Sequence, residues 1–394
     1  MKIIYIQHYA GSSDLGPSKR VYDHSLALKE YGHEIHIIAA SFSHLRNKQP
    51  IVKGIYASEI IDGINYHFLR TPKYSGLISR FLNILVFNLL LVIFLPFFIK
   101  IRPEAVISTS TYQLDYIPNY LICLFSGAKS VHEVHDLWPE SLRYTSGMSR
   151  FHPFFLVCRL SELLAFKKAD AIIGILEHTD RYAEEILGIS INKYLWVPNH
   201  CNLEDYSGIN PIKKDRFTVT YTGYLGEAQY LQDLFEAVKD LPIDVCIYGD
   251  GPKKIFFEDQ CRSMKINNVY FYGRTPREEI IKQQISANVL YQGWKDYSIY
   301  EYGVSSIKIP EYIASGAYVV QTANFKDHLI DSYDYGISVP LGNVDQLRKI
   351  LFKLFSEKDE NNSELRRIDG MKYIKNNLSL EIMSKRVNDF LNHT

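Results

Sequence analysis

The chain has 394 residues, longer than one hydrophobic core ordinarily serves, and so predicts two domains of about two hundred residues each. Apolar residues at 46% with charged residues at 22% exclude a disordered or fibrous chain. Lys plus Arg equals Asp plus Glu at 44 each, which excludes a nucleic-acid binder driven by global charge and makes any attraction for an anion local.

In chain order, residues 2–7 predict a strand, residues 11–16 a glycine-bearing loop, and residues 18–31 a helix that Gly32 and His33 end. Residues 34–40, 64–69, 105–108, 130–134, 171–175 and 194–197 read as further strands, most of them apolar enough for a buried parallel sheet. Between the third and fourth of these seven, residues 81–99 are nearly all apolar, interrupted by Asn83, Asn88 and Pro96 and bracketed by Arg80, Lys100 and Arg102. The length borders on a membrane span, but two strands of one sheet flank it, so a buried or membrane-facing helix is the expectation. Residues 150–168 alternate basic residues with Phe151, Phe154, Phe155 and Leu156, as an interfacial helix does.

Pro198 and Asn199 break the seventh strand, and residues 202–216 read as a linker. The strand-helix rhythm restarts at residues 217–222, 243–248 and 269–272, which end on Gly223, Gly249 and Gly273. The expectation is therefore α/β: two Rossmann-like domains, residues 1–200 and 201–378, facing across an interdomain cleft. A terminal amphipathic helix within residues 379–394 is expected to pack back on the first. Tyr is abundant, 29 against 3 Trp, which suits a core, a binding surface or a membrane interface alike. Five dispersed cysteines without a CxxC pair, and an amino terminus without a secretory pattern, point to reduced thiols and a cytoplasmic protein.

The most informative segment is YGVSSIKIPEYIASG, residues 302–316. A loop with Gly303, Val304, Ser305 and Ser306 runs into a helix, so backbone amides converge with the positive end of the helix dipole where a phosphate would sit. Lys308 adds a full positive charge, and Glu311 is placed to accept hydrogen bonds from the vicinal hydroxyls of a ribose. Locally, the same residues suit an ordinary capped helix with Glu311 in solvent. This segment, continued as AYVV, resembles the donor-nucleotide motif of glycosyltransferase family 4, retaining enzymes of the GT-B fold. GPSKRV, GHEIHII, HDLWPESL, VPN, YTGYLGEAQYL, YGDGP and VYFYGRTPREE extend the resemblance, in order, over nearly the whole chain. The branch it resembles includes aminosugar transferases of O-antigen and capsule assembly, such as L-fucosamine transferases.

The resemblance implies roles residue by residue. Glu311 matches the second glutamate of the family's paired-glutamate motif, expected at the nucleotide ribose, whereas Gly303 stands where the first would be. The family's usual Arg and Lys after the first strand of the second domain are also absent, with Tyr224 and Gln229 nearest those places. Lys308, the amides of residues 304–306, and Arg20 or Lys19 are then the candidates to meet diphosphate charge. Gly223, Gly249 and Gly251 would lie beside the nucleotide, as would Arg274 and Thr275 in the loop expected at the base. Gly11 and Gly16 would let the backbone approach a diphosphate. His135 matches a histidine that contacts the donor sugar, His132 reads as structural, and Asp136 and Glu140 are candidates to orient the acceptor or act as base.

The function so implied is retaining transfer of a hexosyl or aminosugar group from a nucleotide diphosphate sugar, UDP favoured, to a lipid-linked saccharide at the inner leaflet of the inner membrane. No metal and no cofactor beyond the nucleotide sugar is expected, since HEVH is not zinc-ligand spacing. Two other readings are a nucleotide-sugar 2-epimerase of the same fold and a non-catalytic membrane partner of a polysaccharide assembly complex.

Overall fold

The computed structural model describes residues 1–16, 19–212, 214–326, 328–331, 335–357 and 360–394. Pro17 and Ser18, within the GPSKRV run and the start of the expected first helix, lie outside them. The chain divides into two compact units, one of Met1–Asn199 with Leu380–Thr394 and one of His200–Ser379.

The first unit is built on eight strands: β1 (Lys2–Ile6), β2 (Glu34–Ala40), β3 (Tyr56–Ile61), β4 (Ile64–Leu69), β5 (Ala105–Ser108), β6 (Lys129–Val134), β7 (Ala171–Gly174) and β8 (Tyr194–Trp196). Their order in the sheet is β3-β4-β2-β1-β5-β6-β7-β8, parallel throughout except for β3, which pairs antiparallel with β4. The unexpected β3 is an edge strand whose Ser58, Glu59 and Ile60 are exposed, so it lacks the apolar run by which a buried strand announces itself. The connections from β4 to β5, from β5 to β6 and from β6 to β7 advance in one direction across the sheet. Right-handed crossovers therefore put their helices on one face. The helix Arg20–Glu30 joins β1 to β2 in the opposite direction and packs with the terminal helix Leu380–Asn392. His24 and Ser384 are hydrogen-bonded there at 2.9 Å.

The apolar stretch 81–99 does not form one long helix. It falls within Leu77–Ile93 and Leu95–Lys100, separated at Phe94 with Pro96 in the first turn of the second helix, where proline's missing N–H costs nothing. Among the described residues no helix is long and apolar enough to cross a membrane. Ile84, Phe87, Leu90 and Leu91 recur at helical spacing and are buried; Phe87, Leu90 and Leu91 pack against β1, β2 and β4. Asn83, polar within this run, accepts through Oδ1 from buried His8 Nε2 at 2.6 Å, and burial pushes the His8 imidazole down to about 3, keeping it neutral.

The second unit has six strands: β9 (Thr218–Thr222), β10 (Asp244–Tyr248), β11 (Val269–Gly273), β12 (Val289–Gly293), β13 (Tyr318–Thr322) and β14 (Gly336–Val339). They form a fully parallel sheet in the order β11-β10-β9-β12-β13-β14. Its core joins Val219, Tyr221, Val245, Ile247, Val289 and Val320 of the strands to Leu234, Phe235 and Phe257 of the covering helices. Residues 202–216 are not a free linker. A short turn, Leu203–Tyr206, opens the second unit, and buried Tyr206 donates its hydroxyl to Gln284 Oε1 at 2.7 Å.

Candidate functional site

In the second unit a cavity of about 780 Å³ opens at the carboxyl ends of β9, β10 and β11. Open α/β sheets bind ligands at this end of their strands. Gly223, Tyr224, Gly249, Gly251, Arg274, Thr275, Lys308 and Glu311, all singled out from the sequence, line it, together with Thr222, Tyr248, Asp250, Arg277 and Ile280. Gly303 follows the short helix Ser298–Tyr302 with φ of 100°, and residues 304–306 lead into the helix Lys308–Ser315. Ser306 Oγ, one residue before the N-cap Ile307, accepts from the Lys308 amide at 3.2 Å.

The glycines have specific steric work. A Cβ on Gly249 would fall well inside van der Waals contact with the Gly223 carbonyl, whose carbon would be 2.8 Å away. A Cβ on Gly223 would meet Lys308 Cε at 2.5 Å, and one on Gly251 would overlap the Leu225 backbone. All three have positive φ, which glycine alone adopts cheaply.

Lys308 lines the cavity beside Gly223. Its Nζ donates to Tyr221 Oη at 2.9 Å, Gln292 Oε1 at 3.0 Å and Gln229 Oε1 at 3.2 Å, and lies 4.4 Å from the centroid of the Tyr221 ring. Gln229 thus meets the ammonium instead of supplying a charge of its own. Burial pushes the Lys308 ammonium down to about 7, with Glu311 the charge that opposes the shift. Glu311 is buried, its Oε1 2.6 Å from Arg277 Nη1 and its Oε2 3.4 Å from Gln284 Nε2. Burial raises its carboxyl above the usual range while Arg277 pulls the other way. Sequence reasoning passed over Arg277 and Gln284. The signal for Arg277 was its place in VYFYGRTPREE, two residues beyond Thr275.

The remaining candidates lie in the first unit. Gly16 has φ of 98° and a Cβ there would meet the Asn47 side chain, so it shapes the loop after β1. Arg20 is not a free cation. Its Nε and Nη2 donate to Glu133 Oε1 at 3.0 and 2.8 Å, and its Nη2 and Nη1 reach the carbonyls of Val197 and Pro198 at 2.7 and 2.9 Å. The expectation that Arg20 meets diphosphate charge is therefore corrected: a buried carboxylate at the end of β6 already neutralises it. Burial opposes ionisation of Glu133, yet Arg20, His135 and Thr109 hold its carboxyl well below the usual range.

His135 follows β6, its Nε2 2.6 Å from Thr109 Oγ1 and 3.3 Å from Glu133 Oε2. Asp136 accepts from the Leu137 amide at 2.8 Å, and burial raises its carboxyl. Glu140 is buried with one oxygen paired to Arg143 and the other to Arg159. Both oxygens are thus already engaged, which corrects the expectation that Glu140 is free to orient the acceptor or act as base. Among the described residues no three His, Cys, Asp or Glu side chains gather as metal ligands.

Residues 203–368 match the family model of glycosyl transferases group 1. Comparison with curated proteins gives no match. Among solved structures, the chain resembles sucrose-phosphate synthase from Thermosynechococcus elongatus at a TM-score of 0.74 and 15% identity, covering 100% of this chain and 99% of that one. Anabaena HepE in complex with UDP and glucose aligns at 0.68 and 11% identity over 100% of both chains. WaaG, a glycosyltransferase involved in lipopolysaccharide biosynthesis, aligns at 0.69 and 12% identity, again over 100% of both. At such identities the likeness establishes the fold, which is the GT-B-like α/β fold of two parallel-sheet, Rossmann-like units. The family match over residues 203–368 supports a glycosyltransferase.

Proposed function

We propose that this protein is a retaining glycosyltransferase that moves a hexosyl or aminosugar group from a nucleotide diphosphate sugar, UDP-linked by preference, to a hydroxyl of a lipid-linked saccharide in cell-surface polysaccharide assembly. The observation that carries the reading is the meeting of Lys308, Glu311 and the glycine turns at 223, 249 and 251 around one cavity. Glu311 accepts the two ribose hydroxyls, the glycines admit the diphosphate close to the backbone, and Lys308 neutralises it. As the sugar-phosphate bond breaks, charge grows on the departing diphosphate, and Lys308 with the amides of residues 304–306 stabilises it. The departing phosphate takes the acceptor proton. His135 is oriented by Thr109 and Glu133 at the end of β6. That HepE is a complex with UDP favours the uracil nucleotide.

Calorimetric titration with UDP, GDP and ADP tests the donor. Wild type is expected to prefer UDP, and Glu311→Ala to weaken it roughly ten- to hundredfold, the worth of hydrogen bonds to a charged group. No nucleotide binding, or equal binding by the variant, would overturn the reading.

The acceptor reading rests on the first unit. The helices Leu77–Ile93, Tyr116–Ser126 and Pro153–Lys168 adjoin on one face of the sheet and leave Leu82, Leu85, Leu89, Leu124, Phe125 and Leu160 exposed. Lys100, Lys167 and Lys168 at helix ends supply cations for anionic headgroups. We place the protein in the cytoplasm, peripheral to the inner membrane. Phe154, which packs against Phe81 and Trp138, belongs to the support of this face. In flotation with anionic vesicles, wild type is expected to rise with the lipid and the Leu89→Asp, Leu160→Asp double variant to remain below. Wild type remaining below would remove the membrane from the reading.

A further inference from the structure

Glu311 is bracketed from two sides. Arg277 Nη1 donates to its Oε1 at 2.6 Å, while Arg277 Nη2 donates to Asp205 Oδ2 at 3.2 Å. Gln284 Nε2 lies 3.4 Å from Oε2 and 3.0 Å from Thr222 Oγ1, while Gln284 Oε1 accepts the Tyr206 hydroxyl at 2.7 Å. Asp205 and Tyr206 sit in the same short turn, Leu203–Tyr206. Two parallel links, Asp205–Arg277 and Tyr206–Gln284, thus run from one turn to the two oxygens of one carboxylate. Arg277 comes from the first turn of the helix Arg277–Ile285 and Gln284 from its last, so a single rigid element carries both contacts.

We propose that Arg277 and Gln284 are positioning residues that set the plane of the Glu311 carboxylate for a ribose diol, and that Arg277, anchored by Asp205, determines discrimination between ribonucleotides and deoxyribonucleotides. The inference rests on the reading of Glu311 as the ribose ligand. Each carboxylate oxygen can accept more than one hydrogen bond. With one position on each oxygen taken by Arg277 or Gln284, the remaining positions are fixed in direction rather than swept by rotation of the side chain. Two vicinal hydroxyls have a fixed separation, so a carboxylate of fixed plane receives both, whereas a rotating one pays an ordering cost for the second. A site built to bond a hydroxyl rejects the analogue lacking it. That rejection weakens when the acceptor is free to turn away. Arg277 also lines the cavity with Glu311 and Ile280, so its loss opens space beside the carboxylate.

The test is calorimetric titration of UDP and 2′-deoxy-UDP into the full-length wild type, Arg277→Ala and Asp205→Asn. Wild type is expected to prefer UDP about tenfold, the scale of one hydrogen bond to a charged acceptor. Arg277→Ala is expected to weaken UDP about fivefold, leave 2′-deoxy-UDP nearly unchanged and so reduce the preference to about twofold. Asp205→Asn, which keeps the cavity residues and removes only the anchor's charge, is expected to fall between. It stands in for Arg277→Ala should that chain not fold. A merely structural role for Arg277 would weaken both nucleotides alike and leave their ratio intact, and that result overturns the inference while the Glu311 reading survives. A wild type that binds UDP and 2′-deoxy-UDP equally overturns the ribose reading of Glu311 and this inference with it.

Discussion

UDP binding by this protein is expected to take up close to one proton per site at pH 8, and its affinity to fall about tenfold per pH unit above neutrality. Free Lys308 sits near neutrality because burial among Tyr221, Gln229 and Gln292 disfavours its ammonium, and the charge of Glu311 offsets that only in part. A diphosphate brings the missing charge. At a separation of about 4 Å and an effective dielectric near 20, one anionic oxygen contributes about 4 kcal/mol, or about three units of proton affinity. Bound Lys308 is then protonated at pH 8 while free Lys308 is mostly neutral, and the difference is drawn from the buffer. Titration in buffers of different ionisation enthalpy measures it. Lys308→Met is expected to abolish the uptake and to weaken UDP about a hundredfold at pH 6, where wild-type Lys308 is already charged. Uptake that persists in the variant would assign the proton to another group and remove Lys308 from the diphosphate.

The same depressed value has a sign for stability. The unfolded chain holds the Lys308 proton up to the ordinary lysine range, and the folded chain loses it near pH 7. Between those limits the unfolded state binds more protons, so this group makes the ligand-free protein more stable as pH rises from 7 towards the ordinary lysine value. Saturating UDP, by restoring the proton in the folded state, is expected to flatten that dependence.

What was legible in the sequence divides by the range of the interactions. The apolar runs of β1, β2, β5, β6 and β7 and the glycines at the carboxyl ends of β9, β10 and β11 are local signals, and each falls within a residue or two of its place. β3, with its exposed middle, and β12 to β14 were not read as strands. β12 carries a buried Gln292, and β13 begins inside the segment taken as nucleotide motif. The cavity residues were legible because the glycine turns and the segment leading into the helix Lys308–Ser315 carry the family resemblance at fixed places along the chain. Their partners were not. That Arg20 faces Glu133, that Glu140 is divided between two arginines, and that Gln229 and Gln292 cage Lys308 are pairings across the fold. No periodicity encodes them.

Gly249→Ala is expected to produce the largest loss of stability among single substitutions at the site, at least about 3 kcal/mol, together with loss of UDP binding. Two effects combine there. Gly249 has φ of 155°, a region closed to residues with a Cβ, and the added methyl would overlap the Gly223 carbonyl. Neither side can retreat freely. The Gly249 amide donates to the Gly273 carbonyl at 2.8 Å and the Gly223 amide to the Tyr248 carbonyl at 2.8 Å, so separating the two turns breaks the ends of three strands. Those ends form a wall of the cavity. Gly342→Ala separates the two effects, since Gly342 has φ of 82° with no atom within 4 Å of an added Cβ. It bears only the backbone term, about 1 kcal/mol, and sits away from the cavity. Thermal unfolding of both variants, each with and without UDP, is the measurement. A Gly249→Ala chain that melts with Gly342→Ala and still gains stability from UDP would show that the turn yields, and that close backbone approach at this position is not what the nucleotide requires.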